Sequence, residues 1–428
     1  MRVAILTLSA ISILTSNLSG ADERKLALAL TAQADFDRVE TAIAPQLHDT
    51  ATCIQSQAAV LPVATPEERS LILFHKGFCT LIGAALAHDS GQFEDAAVTF
   101  DQATEAWQSR AAAASKKTPP LPIPSALRVF GAVSRLEQSP PSSSFDAQEA
   151  QLKSAVDQPA CQPVLMASDS CLAATRLGSS WLGWIAFRRG DPYAATRWFT
   201  AARSLGWLAW IQGLQALDAG DSQKAATLYR GAVNSWRKIQ QDPAAPLVDR
   251  LSPRPDMAAM LTDLGSAQLL SRDAAAAIET LDAAVKADPS KPRAIYLRAR
   301  AKEAAGQADA ALADYNLASR TAFAASPGKS SGEAHFYQGI LLYRRKDLPR
   351  AEDEFSSALN FDMPASMKAD AAAWRHLAAV ADGSCGASRA QLERSLAAVS
   401  TDFPAGDARS ALASCPATGS ADRANPVK

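Results

Sequence analysis

Residues 179–203 read SSWLGWIAFRR-GDP-YAATRWFTAAR. Two segments of helical period flank a Gly190-Asp191 turn. Leu182-Gly183 in the first is answered by Ala195, Phe199 and Ala202 in the second. Small residues let two helices approach closely, and a large one fills the gap between them. The same offsets recur at Leu264-Gly265, Ala277, Leu281, Ala284 and Pro289. Two of the copies start near 258 and 292, a spacing of 34 residues. A period of that size marks stacked helical hairpins, none of which buries its apolar face alone.

More copies lie on both sides. Gly213, the turn Gly220-Asp221, and Ala225, Tyr229 and Ala232 make the next one. Gly306 marks the turn of another, followed by Ala311, Tyr315 and Ala318. Gly339 then precedes Ala351, Phe355 and Ala358. Upstream, Gly77, the turn Ser90-Gly91, and Ala96, Phe100 and Ala103 form an earlier copy. Its first helix opens at Thr65-Pro66-Glu67-Glu68, with Thr as cap, Pro at the first helical position and Glu three residues on.

The chain divides accordingly. Residues 1–21 read as a signal peptide, and 22–116 as N-terminal helices with one repeat-like unit. In that second segment, 23–34 and 35–60 look helical, the latter interrupted at Pro45. A Pro/Ser-rich irregular segment, 117–175, holds a degenerate hairpin at 125–136 and 145–156. The array proper spans 176–365, broken by a Pro-rich connection over 242–256. Helices at 366–380 and 387–399 cap it within 366–416, and 417–428 is a mobile polar tail.

The residues Leu182, Gly183, Ala195, Phe199 and Ala202, with Leu264, Gly265, Ala277, Ala284 and Pro289, resemble the tetratricopeptide repeat signature. The resemblance is strongest over 176–362. It departs where Arg272 and Lys346 replace the turn glycine. It implies an all-α fold: a right-handed superhelix of antiparallel helical hairpins with an irregular N-terminal part. It also implies binding of a protein or peptide along the face lined by first helices. Family members that clamp C-terminal carboxylates do so with Lys and Asn. The equivalent positions here are Ser180, Trp184, Trp210 and Leu214, so that clamp is absent.

Candidate contact residues on the first helices are Trp184, Arg188, Trp207 and Trp210, then Arg293, Tyr296 and Arg300, then Phe336, Tyr343 and Arg344. Aromatic and Arg side chains are the usual anchors of protein interfaces. The competing reading is that the tryptophans are core between adjacent units, since large aromatics are more often buried. A ligand with apolar anchors and some acidic residues suits this surface.

The 428 residues are 48% hydrophobic, 7% aromatic and carry a net charge of -1. That gives neither a basic footprint for nucleic acid nor a polybasic membrane patch. Met1-Arg2, an apolar run over 3–14, and small residues at Ser19-Gly20-Ala21 read as a secretory signal. An uncleaved anchor is the other reading, but the run is short for a membrane span. A periplasmic or secreted protein with no span after signal removal is expected. Six cysteines fit an oxidising compartment. Local pairing joins Cys53 with Cys79, Cys161 with Cys171 and Cys385 with Cys415, against the alternative of buried free thiols.

No catalytic, cofactor or metal site emerges. His75 and Cys79, four apart on one helix face, could ligate a metal with Cys53, but a disulfide or plain packing accounts for them. Gly328-Lys329-Ser330-Ser331-Gly332 matches GxSxG without the strand that a nucleophile elbow needs. Ser330 with Glu333 reads better as a capping box. A non-catalytic, exported scaffold is the leading expectation. Its rivals are a small-ligand or enzymatic site in 116–171 and a structural spacer in an envelope assembly.

Overall fold

A computed structural model of the chain describes residues 49–87, 89–113, 124–138, 144–157, 169–242, 247–325, 331–361 and 363–415. The signal peptide, the helices read over 23–48 with Pro45, Cys161, Ser330 and the tail lie outside the described residues, as does the Cys171 side chain. Among the described residues every regular element is helical. In chain order these are α1 (Thr50–Val60), α2 (Pro66–Ala87), α3 (Ser90–Ala113), α4 (Ser125–Gln138) and α5 (Asp146–Val156). Next come α6 (Asp169–Arg188), α7 (Pro192–Ala202), α8 (Leu205–Asp218), α9 (Ser222–Gln241) and the short α10 (Leu247–Leu251). Then follow α11 (Met257–Leu270), α12 (Ala274–Ala287), α13 (Pro292–Ala304), α14 (Ala308–Ala325), α15 (Ser331–Arg344) and α16 (Leu348–Leu359). The last three are α17 (Ala365–Ala381), α18 (Gly386–Ser395) and α19 (Ala405–Ser414). The expected all-α array of antiparallel hairpins is what folds. The sequence pattern did not announce α10 and α19.

The glycines of the signature explain the pairing. A Cβ built on Gly183 would meet the Phe199 ring at 2.8 Å, and one on Gly265 would meet Leu281 Cγ at 2.5 Å. Gly339 stands to Phe355 in the same way, at 2.8 Å. In these hairpins the large residue of the second helix therefore lies directly on the backbone of the first. The flanking alanines, such as Ala195, Ala277 and Ala351, are completely buried.

The turns follow equally simple rules. Gly190, Gly220 and Gly306 take φ of 76°, 80° and 77°. Arg272 and Lys346 fill the equivalent place at φ 62° and 65°, a conformation that costs a residue with a Cβ roughly 1–2 kcal/mol. The aspartate after several of these turns caps the second helix. Asp191, Asp221 and Asp273 accept from the backbone N–H of Ala194, Lys224 and Ala276 at 2.9, 3.0 and 3.1 Å. The capping box before α2 is also present: Glu68 N–H donates to Thr65 Oγ1 at 3.3 Å, and Thr65 N–H donates to Glu68 Oε2 at 3.1 Å. Thr65 Oγ1 also donates to Glu68 Oε2 at 2.8 Å, and this bond together with that from the Thr65 N–H holds the Glu68 carboxyl below its ordinary range.

The contacts divide the chain into two compact units, 1–211 with 234–254 and 212–233 with 255–428. The first has a core of Phe74, Phe78, Phe100 and Phe130, with Phe78 and Phe130 packed edge to face at 4.9 Å. It continues through Leu177, Trp181 and Ile185 and takes in Leu251 from beyond α9. Cys53 and Cys79 are joined as a disulfide that ties α1 to α2, Cα–Cα 6.2 Å. The second unit packs Phe336, Tyr343, Phe355, Trp374 and Phe403 around α15–α19. There a Cys385–Cys415 disulfide, Cα–Cα 5.5 Å, closes α18 and α19 into one loop. No helix among the described residues is long and apolar enough to cross a membrane.

Candidate interaction surface

First helices α13 and α15 carry the densest accessible cluster of the expected contact residues. Tyr296 and Arg300 sit one turn apart on α13, and Tyr337 comes from α15. The Arg300 guanidinium lies 3.8 Å above the Tyr337 ring and donates to the Tyr296 hydroxyl at 3.2 Å. The two tyrosine rings are 6.0 Å apart. An arginine stacked on one phenol and bonded to another has lost most of its rotamer freedom. Behind it, Tyr315 donates to Glu303 at 2.7 Å, and Arg344 donates to the other oxygen of Glu303 at 2.9 Å. Burial pushes the hydroxyls of Tyr296 and Tyr315 above the ordinary tyrosine range, so both stay neutral, the first accepting from Arg300 and the second donating to Glu303.

The charged rim is exposed. The Arg293 side chain is 67% accessible and 3.5 Å from Asp263, and that of Arg344 is 63% accessible. Arg298, between them in sequence, is committed elsewhere. It grips buried Asp314 through two bonds of 2.7 Å and reaches Asp282 at 2.9 Å, while Lys302 adds 2.7 Å to Asp314. That cluster fastens α13 to α12 and α14.

The remaining expected contact residues divide by burial. Trp207, Trp210, Phe336 and Tyr343 are 2%, 6%, 5% and 6% exposed, so their rings are core and do not face a ligand. Trp207 stacks on Phe199 at 5.0 Å and meets Trp210 at 5.3 Å. Tyr343 packs edge to face with Trp374 at 5.1 Å. The packing alternative drawn for the tryptophans therefore describes Trp207 and Trp210; Phe336, which meets Phe355 within its own hairpin, and Tyr343 are buried in the same way. Trp184 is half-buried against Trp181 and Phe145, with the exposed Arg188 guanidinium 5.5 Å from its ring. Tyr337 was not singled out from the sequence. Its position one residue after Phe336 in a first helix was the available signal.

Cys53, His75 and Cys79 bring their ligand atoms within 4.8 Å of one another, but the two sulfurs are bonded together. His75 Nε2 is buried and has no hydrogen-bond partner among the described residues. Burial pushes its pKa down to about 4. The sequence region 116–171, where a small-ligand site was the rival expectation, falls in good part outside the described residues.

A family model described as tetratricopeptide repeat matches residues 211–292, 262–328 and 296–370. No curated protein matches the chain by sequence. Among solved structures it is similar to MamA (residue 41 to the end) from Desulfovibrio magneticus RS-1, with 19% identity and a TM-score of 0.33. That match covers 43% of this chain and 94% of that one. A tetratricopeptide repeat protein from Parabacteroides merdae ATCC 43184 shows 13% identity and a TM-score of 0.35, covering 63% and 92%. Yeast Tom70 shows 13% identity and a TM-score of 0.34, covering 92% and 95%. Superpositions this loose carry no information about ligand or activity.

Proposed function

Because the chain carries tetratricopeptide repeats, we propose that it is a non-catalytic scaffold that binds a protein or peptide partner. The observation that supports this best is the pre-organised Tyr296–Arg300–Tyr337 cluster, flanked by the exposed guanidiniums of Arg293 and Arg344. Side chains fixed before binding lose little entropy on binding. Phenol faces suit apolar or aromatic anchors, and the rim suits carboxylates. The partner is thus a segment with apolar anchors and acidic flanks. Arg188 beside Trp184 offers a second, smaller patch of the same chemistry.

We place the protein in the periplasm or outside the cell. The basic start, apolar run and small residues of 1–21 support export, and the paired Cys53–Cys79 and Cys385–Cys415 are compatible with an oxidising compartment.

The test is capture from the native envelope fraction under mild crosslinking, comparing wild type with Arg293→Glu/Arg344→Glu. Proteins retained by the first and lost by the second at matched folding support the reading. Identical recovery by both, or insensitivity to salt between 50 and 300 mM (about a 2.4-fold change in Debye length), refutes it.

A further inference from the structure

The connection after α9 is a built element of the first unit. Leu251, Ser252 and Pro253 are buried, Leu251 to 2% in the core formed with Trp181 and Ile185. Two buried indoles hold its backbone. Trp181 Nε1–H on α6 donates to the Leu251 carbonyl at 2.9 Å, and Trp207 Nε1–H on α8 donates to the Pro253 carbonyl at 2.9 Å. Arg254 donates to the Ala85 carbonyl at the end of α2 at 3.0 Å, and its charge offsets the burial that raises the Glu137 carboxyl on α4. Arg176 on α6 lies 3.6 Å from Asp249. The segment therefore contacts α6, α8 and α2, and the charge of Arg254 reaches Glu137 on α4; these are the first helices of four consecutive hairpins.

Those are the features of a ligand seated in a site. Indole donors reading the carbonyls of residues 251 and 253, where α10 ends, recognise backbone, and backbone is common to any peptide. Specificity is left to three positions. One is an apolar residue entering the core pocket, one is a proline that brings no N–H to satisfy, and one is an arginine reaching the carbonyl end of α2. Removed from its place, the segment would leave two indole N–H groups buried without an acceptor, at a cost of about 1–3 kcal/mol each.

We propose that the first-helix face of the 1–211 unit is a peptide-binding groove occupied in cis by Leu247–Leu251 and the three residues after it. A partner presenting an apolar-Ser-Pro-Arg segment displaces this strap. The groove is separate from the Tyr296–Arg300–Tyr337 cluster and does not rest on that reading.

The test replaces residues 251–254 with Gly and Ser in the full-length chain, keeping the length constant. A fluorescein-labelled peptide of sequence LVDRLSPR is then titrated against the variant and the wild type by anisotropy. Binding to the variant, and about tenfold or weaker binding to the wild type, is expected, because a tethered competitor acts at millimolar effective concentration. No binding to a variant that keeps its helical circular dichroism overturns the proposal, and so does equal binding to both proteins. Should the variant not fold, hydrogen exchange on the wild type decides. The indole N–H of Trp181 and Trp207 must exchange through an opening that is insensitive to urea and faster than that of the α6 core amides. Exchange of the indoles only with global unfolding refutes the displaceable strap.

Discussion

A methyl group added to Gly213 tests the packing rule on which the array depends. Gly213 lies on α8, and a Cβ there would fall 2.5 Å from Tyr229 Cε1, 2.6 Å from Cδ1 and 3.0 Å from Cζ. Carbon atoms rest at about 3.5–4.0 Å, so the ring must retreat by roughly 1 Å. Tyr229 is completely buried and has nowhere to go without moving its neighbours. Overpacking of this kind costs about 1–3 kcal/mol. Against it stands the gain of about 1 kcal/mol for Ala over Gly inside a helix. Gly231, on the exposed side of α9, supplies the control, because its Cβ would meet nothing within 4 Å. Gly231→Ala should therefore raise stability by up to about 1 kcal/mol. Propensity cancels between the two variants, so the difference isolates the overpacking: Gly213→Ala should be less stable than Gly231→Ala by about 1–3 kcal/mol. Urea unfolding followed by circular dichroism, with the slope held common, measures that gap. Equal midpoints for the two variants would refute the argument that the signature glycine exists to admit the ring.

The same tyrosine gives a second expectation: its hydroxyl is buried without a hydrogen-bond partner among the described residues, so Tyr229→Phe should leave the urea midpoint unchanged or raise it. Asp314→Ala takes the carboxylate from Lys302 and leaves Arg298 with Asp282 alone, their side chains being 17% and 15% exposed, and should cost about 3 kcal/mol, part of which Arg298→Met in the same chain recovers. Cys385→Ser opens a loop of sequence separation 30 and should cost about 2–4 kcal/mol, with hydrogen exchange in α18 and α19 rising before that in α11. His75, depressed to about 4 by burial, is neutral when folded while the unfolded chain takes up a proton near its ordinary 6.5. Its share of stability is thus complete above pH 6.5 and is lost as pH falls toward 4, and His75→Gln should flatten the dependence of Tm on pH in that window.

The array was legible because its rule is local. A glycine, a large residue and two alanines at fixed offsets describe one close helix pair, and that pair forms wherever the pattern occurs. Even Arg272 and Lys346, which depart from it, keep their place in the turn, since the helices on either side dictate the left-handed backbone there. The candidate surface was only partly legible. The aromatic residues at helical spacing identified the first helices, yet the pattern could not say which side of a helix meets the next hairpin. Trp207 and Tyr343 went inward, while Tyr296 and Tyr337 stayed half-buried around Arg300. The strap at 247–254 gave no local signal. Its Leu251 and Pro253 looked like a loop because their partners, Trp181 and Trp207, lie 70 and 46 residues away.

The two disulfides among the described residues also set how the chain responds to tension. Bonds between Cys53 and Cys79 and between Cys385 and Cys415 enclose sequence separations of 26 and 30 residues. Stretched from its ends, the oxidised protein withholds about 90 Å of contour near one end and about 100 Å near the other, at roughly 3.4 Å per residue. Force passes directly through each sulfur–sulfur bond, so the enclosed residues bear no load. The oxidised chain is accordingly a shorter tether than its length suggests, and reduction of these two bonds would lengthen it by close to 190 Å (about 56 residues at the same spacing).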